Sequence, residues 1–93
     1  MVIQNLSTLG LANSTQEFSV HISNHTAELF TSIPHIESIE IYNMSGVRVG
    51  LLQNNDWRKN QGSIQFDFSH PSGMYMMVLN TPQIVLREKV FNP

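Results

Sequence analysis

The sequence predicts an all-β chain folded as a small antiparallel β-sandwich, and three observations carry that prediction. Apolar residues alternate with polar ones at period two, as in Phe18, Val20 and Ile22 against Ser19 and His21, the spacing of a strand with one buried face. Such runs recur roughly every eight to twelve residues between turn signals built from Gly, Pro, Asn and Ser. No stretch carries sustained helical periodicity. The 93 residues suffice for one domain with a single core.

Met1 to Gln16 is rich in Asn, Ser and Thr and is expected to be a linker or weak edge strand, with the sandwich spanning 17–93. Phe18 to Ile22 is the first clear strand, Ser23-Asn24-His25 turns the chain, and Ala27 to Thr31 is the second. Ile33-Pro34 ends it, because proline cannot donate to a ladder. Ile39 and Ile41 share one face of the next strand, with Glu40 and Tyr42 on the other. Asn43-Met44-Ser45-Gly46 then suits a type I turn closed by a glycine bulge, leading into Val47, Val49 and Leu51. Gln53 to Gly62 is polar and loop-like apart from Trp57. Ile64, Phe66 and Phe68 alternate in a further strand, and His70-Pro71-Ser72-Gly73 interrupts the pairing. Met74 to Leu79 is apolar on both faces, as a central strand is. Asn80 to Gln83 turns, and Ile84 to Phe91 closes the chain. The expectation is seven strands, with Ile39, Ile41, Val47, Val49, Ile64, Phe66, Met76 and Val78 in one core. Asn43, Gly46, Pro71 and Gly73 are the structural turn residues.

Composition narrows the function. Charged residues make up 13% of the chain, about half the usual ~25%, with Asn, Ser, Thr and Gln in their place, as in extracytoplasmic β-domains. Five Lys and Arg against seven Asp and Glu offer no basic face for nucleic acid. Without cysteine there are no disulfides, thiolate metal sites or thiol nucleophiles. His21, His25, His35 and His70 fall in different strands and turns at no metal-ligand spacing. No nucleophile elbow or phosphate loop is present, and no pair of carboxylates converges as acid–base chemistry requires. The expectation is therefore a non-enzymatic protein with no cofactor. No apolar run is long enough to span a membrane. Met1 to Ser14 lacks the basic start of a secretory signal, so export would depend on a segment upstream.

Two glycine-bearing motifs and a basic end give a family resemblance. The stretch Ile36-Glu37-Ser38-Ile39-Glu40-Ile41-Tyr42-Asn43-Met44-Ser45-Gly46-Val47-Arg48-Val49, then Pro71-Ser72-Gly73-Met74-Tyr75-Met76-Met77-Val78, then Arg87-Glu88-Lys89-Val90, resembles the C-terminal sorting domain of the type IX (Por) secretion system from about Phe18 to Val90. The resemblance implies an immunoglobulin-like sandwich of seven strands at the end of an exported protein of a Gram-negative bacterium. It further implies passage through the periplasm, recognition by an outer-membrane translocon and its shuttle proteins, and secretion or attachment at the cell surface after a sortase-like peptidase removes the domain. On that likeness Arg87, Lys89 and Val90 are the residues recognised. The chain departs from the pattern where Ile22-Ser23-Asn24 replaces a Pro-Asn-Pro turn, where His70 replaces an apolar residue, and at its end, which lacks a second lysine. A module retained in the secretion machinery or at the cell surface is the alternative those departures suit. A carbohydrate-binding or adhesion module, with Trp57 as stacking platform, is a further one, although a lone aromatic in a polar loop more commonly folds down as a flap. An exposed first or last strand is also an unpaired edge open to a translocon strand or to a second copy.

Overall fold

The computed structural model describes residues 18–93, so the linker or edge strand expected over 1–16 lies outside the described residues. Eight strands follow in order: β1 (Phe18–Ser23), β2 (Thr26–Thr31), β3 (Ser38–Asn43), β4 (Arg48–Leu52), β5 (Arg58–Asn60), β6 (Ser63–Asp67), β7 (Gly73–Asn80) and β8 (Val85–Asn92). They form two antiparallel sheets of four, ordered β1-β2-β6-β5 and β4-β3-β7-β8. The core lies between them. Phe18, Ile22, Ala27, Leu29, Ile64 and Phe66 from the first sheet meet Ile39, Ile41, Tyr75, Met77, Leu79 and Val90 from the second.

One strand more is present than the seven expected, and it is β5. Arg58, Lys59 and Asn60 are all exposed, so no alternation marks them. The strand exists through its backbone ladder to β6, with Asn60 opposite Ser63, across a turn in which Gly62 takes a φ of +76°.

The hairpin between β3 and β4 forms as expected. The Gly46 amide donates to the Asn43 carbonyl (3.0 Å) and the Asn43 amide to the Val47 carbonyl (2.9 Å), while Gly46 sits at φ +86°, a region that favours glycine. The Asn43 side chain closes the loop, its Oδ1 accepting from the amides of Ser45 and Val47 at 3.0 Å each. Beyond the turn the register slips. Tyr42 pairs with Arg48 but Ile41 with Gly50, so Val49 is the extra residue of a bulge. This corrects one expectation: Val47, expected in the core, is exposed in the turn, while Val49 is partly buried against the core, Leu51 faces outward, and Gly50 and Leu52 take the inward positions. Gly50 suits its place because a Cβ there would lie 3.3 Å from Ile41 Cδ1.

The phase of β7 is also corrected. Tyr75, Met77 and Leu79 point into the core, and Met76 and Val78 lie on the opposite face. Val78 is buried nonetheless, covered by the neighbouring strands' outer side chains. His70 explains how a histidine replaces an apolar residue: its ring meets Phe68 edge-on at 4.8 Å, and Tyr75 lies 5.8 Å away.

At the β1–β2 turn, Asn24 and His25 have φ of +51° and +63°, the geometry of a two-residue type I′ turn. Asparagine tolerates that region, whereas histidine is there at a cost of ~1–2 kcal/mol. His25→Gly should stabilise the domain by about 0.5–1 kcal/mol, because glycine's larger unfolded-state entropy offsets part of the relief; urea unfolding measures this. Ile41 is 2% exposed, so Ile41→Ala should cost ~2–5 kcal/mol. Val47→Ala should stay within ~0.5 kcal/mol in the same assay, and equal losses would contradict the bulge register.

Candidate functional site

β8 is the last strand of its sheet, hydrogen-bonded to β7 on one side. The β7–β8 register sets its two faces. Val90 opposes Tyr75, Glu88 opposes Met77 and Leu86 opposes Leu79, so these three point inward. Val90 is 5% exposed and belongs to the core; it anchors the strand and presents no surface. Arg87 and Lys89 stand on the outer face and are exposed. Neither makes an ion pair among the described residues, where the two salt bridges are Arg48–Glu40 and Arg58–Asp67.

Pairing carries this face across four strands in rows. One row runs Leu51, Glu40, Val78, Arg87, and the next Arg48, Tyr42, Met76, Lys89. Val85 and Phe91 flank them at the edge, with Phe91 59% exposed. Three of the five Lys and Arg residues of the chain thus share a face with one carboxylate, Glu40.

That carboxylate organises a polar cluster that sequence reasoning missed. The Tyr42 hydroxyl donates to Glu40 Oε1, and Asn80 Nδ2 donates to Glu40 Oε2 at 2.7 Å and to Ser38 Oγ at 2.9 Å. Arg48 approaches to 3.8 Å across a half-exposed pair, an arrangement worth little by itself. The Tyr42 hydroxyl, the Asn80 amide and Arg48 together hold the Glu40 carboxyl below the usual range, outweighing its partial burial. Donation to Glu40 pushes the Tyr42 phenol up. The signal in the sequence was an outward Glu and Tyr two residues apart; Asn80, 40 residues from Glu40, could be added only by pairing β3 with β7.

The second glycine motif fastens the end of β8. The Pro71 carbonyl accepts from Tyr75 Oη at 2.5 Å and from Asn92 Nδ2 at 3.3 Å, and the His70 carbonyl accepts from Asn92 Nδ2 at 2.8 Å. Gly73, at φ +143°, starts β7 opposite Asn92. A Cβ there would meet nothing within 4 Å, so backbone conformation and not crowding selects glycine.

Trp57 is 8% exposed and part of the core cluster. It folds down as a flap, and what remains exposed lines a cavity of about 170 Å³ whose walls mix Leu29, Pro34 and Ile36 with His35, Asn54 and Lys59. Among the described residues no three His, Asp or Glu side chains gather as a metal centre would need.

A family model described as the secretion system C-terminal sorting domain matches residues 8–91. The chain belongs to that family, the type IX sorting domains. Neither the curated proteins nor the solved structures compared with it include a match. Membership makes this sorting domain a C-terminal signal for type IX secretion, implying interaction with that machinery and export through the envelope to the surface or the medium. No helix among the described residues is long and apolar enough to cross a membrane. The family's two glycine motifs fall at Asn43–Gly46 and Pro71–Gly73, one closing the β3–β4 hairpin and the other pinning β8.

The Glu40 cluster gives the sorting domain a pH dependence of known sign. A carboxyl whose pKa is lowered by folding binds protons less readily in the folded state. Its stabilisation is therefore complete above about 4.5, the ordinary value, and is lost as pH falls through the lowered one. Urea unfolding from pH 7 to pH 3 should show the Glu40→Gln variant losing less stability on acidification than the parent. Tyr42→Phe, which removes the principal donor, should raise the Glu40 midpoint in a carboxyl ¹³C titration; an unchanged midpoint would contradict the assignment of cause.

Proposed function

We propose that this sorting domain is a non-catalytic recognition module, engaged at β8 by the type IX outer-membrane translocon and its shuttle proteins. The observation that carries the reading is that Arg87 and Lys89 stand exposed on the outer face of the last strand of the sheet, without ion-pair partners among the described residues. Val90 contributes by holding the strand in place. The proposal includes periplasmic transit of the parent protein, delivery to the cell surface and removal of the domain by a sortase-like peptidase, all as the family likeness implies.

The fold within this proposal is immunoglobulin-like. Two features support that: the strand order β1-β2-β6-β5 facing β3-β7-β8 with one further strand follows the immunoglobulin arrangement, and Tyr75, near the start of β7, donates to a carbonyl four residues upstream as the tyrosine corner of such domains does. A retained module is the second reading, supported by the Asn24-His25 turn and by the clamp of Asn92 on the Pro71 motif, which ties the last strand down.

Fusing residues 1–93 to a reporter exported to the periplasm of a type IX host tests the proposal. The intact domain should deliver the reporter to the surface, where added protease degrades it. A folded Arg87→Glu/Lys89→Glu variant should leave most of it in the periplasm. Unchanged delivery by that variant would show that this edge is not recognised, and no delivery by the intact domain would favour the retained module.

A further inference from the structure

We propose that the cavity beside Trp57 is a binding site for a carboxylate that carries one apolar group of phenyl or isobutyl size. The site lies on the other sheet from β8 and shares no residue with the recognition reading above, so each can fail without the other.

The pairing of β5 fixes which way its side chains point. Lys59 stands opposite Ile64, and Ile64 opposite Leu29; residues directly opposite share a face. Leu29 and Ile64 belong to the core. Lys59 therefore leaves its sheet on the inner side, toward the opposing layer. Trp57, two residues earlier and with extended backbone, points the same way and is buried. The chain from Ile33 to Ile36 crosses here from the first sheet to the second. Thr31 Oγ1 accepts from the Ile33 amide at 3.1 Å and bends the chain as it leaves β2. Between that crossing and β5 the two layers leave a cavity of about 170 Å³.

Its wall is graded in depth. Leu29, Trp57 and Ile64 are buried, whereas His35, Asn54, Lys59 and Asn60 are exposed, so an apolar floor lies under a polar mouth, the usual build of a ligand pocket. The volume admits one ring or one branched alkyl group, since an engineered apolar cavity of roughly 150 Å³ takes up benzene. The rest of the ligand stays at the mouth, where the charge is of one sign. His35 and Lys59 are the titratable side chains of the wall, and no Asp or Glu lines it among the described residues. Lys59 takes part in neither of the salt bridges there. Glu37 and Asp56 open into an adjacent depression that shares only Asn54 with this one, and Asp56 Oδ2 already accepts from the Gln53 amide at 2.8 Å. A carboxylate at the mouth gains a charge-assisted hydrogen bond from the lysine; a neutral ligand of the same shape does not. The competing reading is that Lys59 only lays its alkyl stem over Trp57 and sends its charge to water.

The test uses the full 93-residue chain, in which Trp57 is the one tryptophan, so the indole N–H resonance reports on this site alone. The probes are phenylpropionate, phenylpropanamide, and the peptide Gly-Ser-Gly-Phe with a free or an amidated carboxyl end. Phenylpropionate should shift the indole resonance, show ring-proton contacts to the Leu29 and Ile64 methyls, and bind with a Kd of ~1–10 mM, as suits so small a ligand. It should bind roughly fivefold more tightly than the amide, and the difference should shrink as salt is raised. In Lys59→Gln, its fold verified by retained core resonances, acid and amide should bind alike. Binding of both the acid and the free-ended peptide would assign the end of a polypeptide as the source of the ligand, and binding of the acid alone a free small acid. Equal binding of acid and amide by the parent, a preference that survives in Lys59→Gln, shifts without contacts to Leu29 and Ile64, or no binding at tens of millimolar would overturn the proposal. So would contacts from residues 1–17 to those methyls in the free chain, which would mean that the chain fills its own cavity. A Lys59→Gln variant that moves the indole resonance of the free chain yet binds phenylpropionate as the parent does would reduce the lysine to a cover for Trp57.

Discussion

The pairing of β3 with β7 is the constraint on which the rest of the domain depends. It joins residues far apart in the chain, with Ile39 opposite Leu79 and Ile41 opposite Met77, and all four side chains are essentially excluded from water. Burial of apolar surface, at ~25 cal/mol per Å², is what favours this alignment over one shifted by a residue, because such a slip would turn every inward side chain of β7 out. The phase of β7 then sets the phase of β8 through their ladder. Arg87 and Lys89 face outward, and Val90 inward, because Met77 and Leu79 are buried on the adjacent strand.

The same pairing assembles the outer face. Glu40 and Asn80 meet only because β3 and β7 lie side by side, and the Tyr42 hydroxyl, one pleat along, completes the carboxylate's set of donors. A carboxylate so held lies opposite Val78 and keeps its charge, while Arg87 and Lys89 make no ion pair among the described residues. The polar cluster and the exposed cations are two results of one register, the first helping to order the sheet and the second available to another molecule.

The two turns that carry the family motifs act on different strands but to one end. Asn43 and Gly46 close a hairpin whose bulge lets Gly50 sit against Ile41, so the far edge of the sheet can be packed without crowding. The Pro71 turn receives Tyr75 on one side and Asn92 on the other, joining the start of β7 to the end of β8. A sheet fastened in this way holds β8 in a fixed position against β7.

The sequence by itself determined the fold class, the positions of most strands, the Asn43–Gly46 hairpin and the chemistry of β8, because each rests on local alternation or on turn residues whose conformational needs are met within a few positions. It could not decide three things. β5 has no apolar face and is a strand only because β6 offers it a ladder. β4 appeared to continue the alternation of Val47, Val49 and Leu51, and the bulge that breaks it is imposed by the turn and by the fit of Gly50 against Ile41. β7 is apolar on both faces, and the expectation of Met76 and Val78 in the core chose the wrong one, the structure burying Met77 and Leu79 against the other sheet. Tertiary packing decided among them, because period-two sequence patterns specify which residues share a face but not which face meets the opposing sheet.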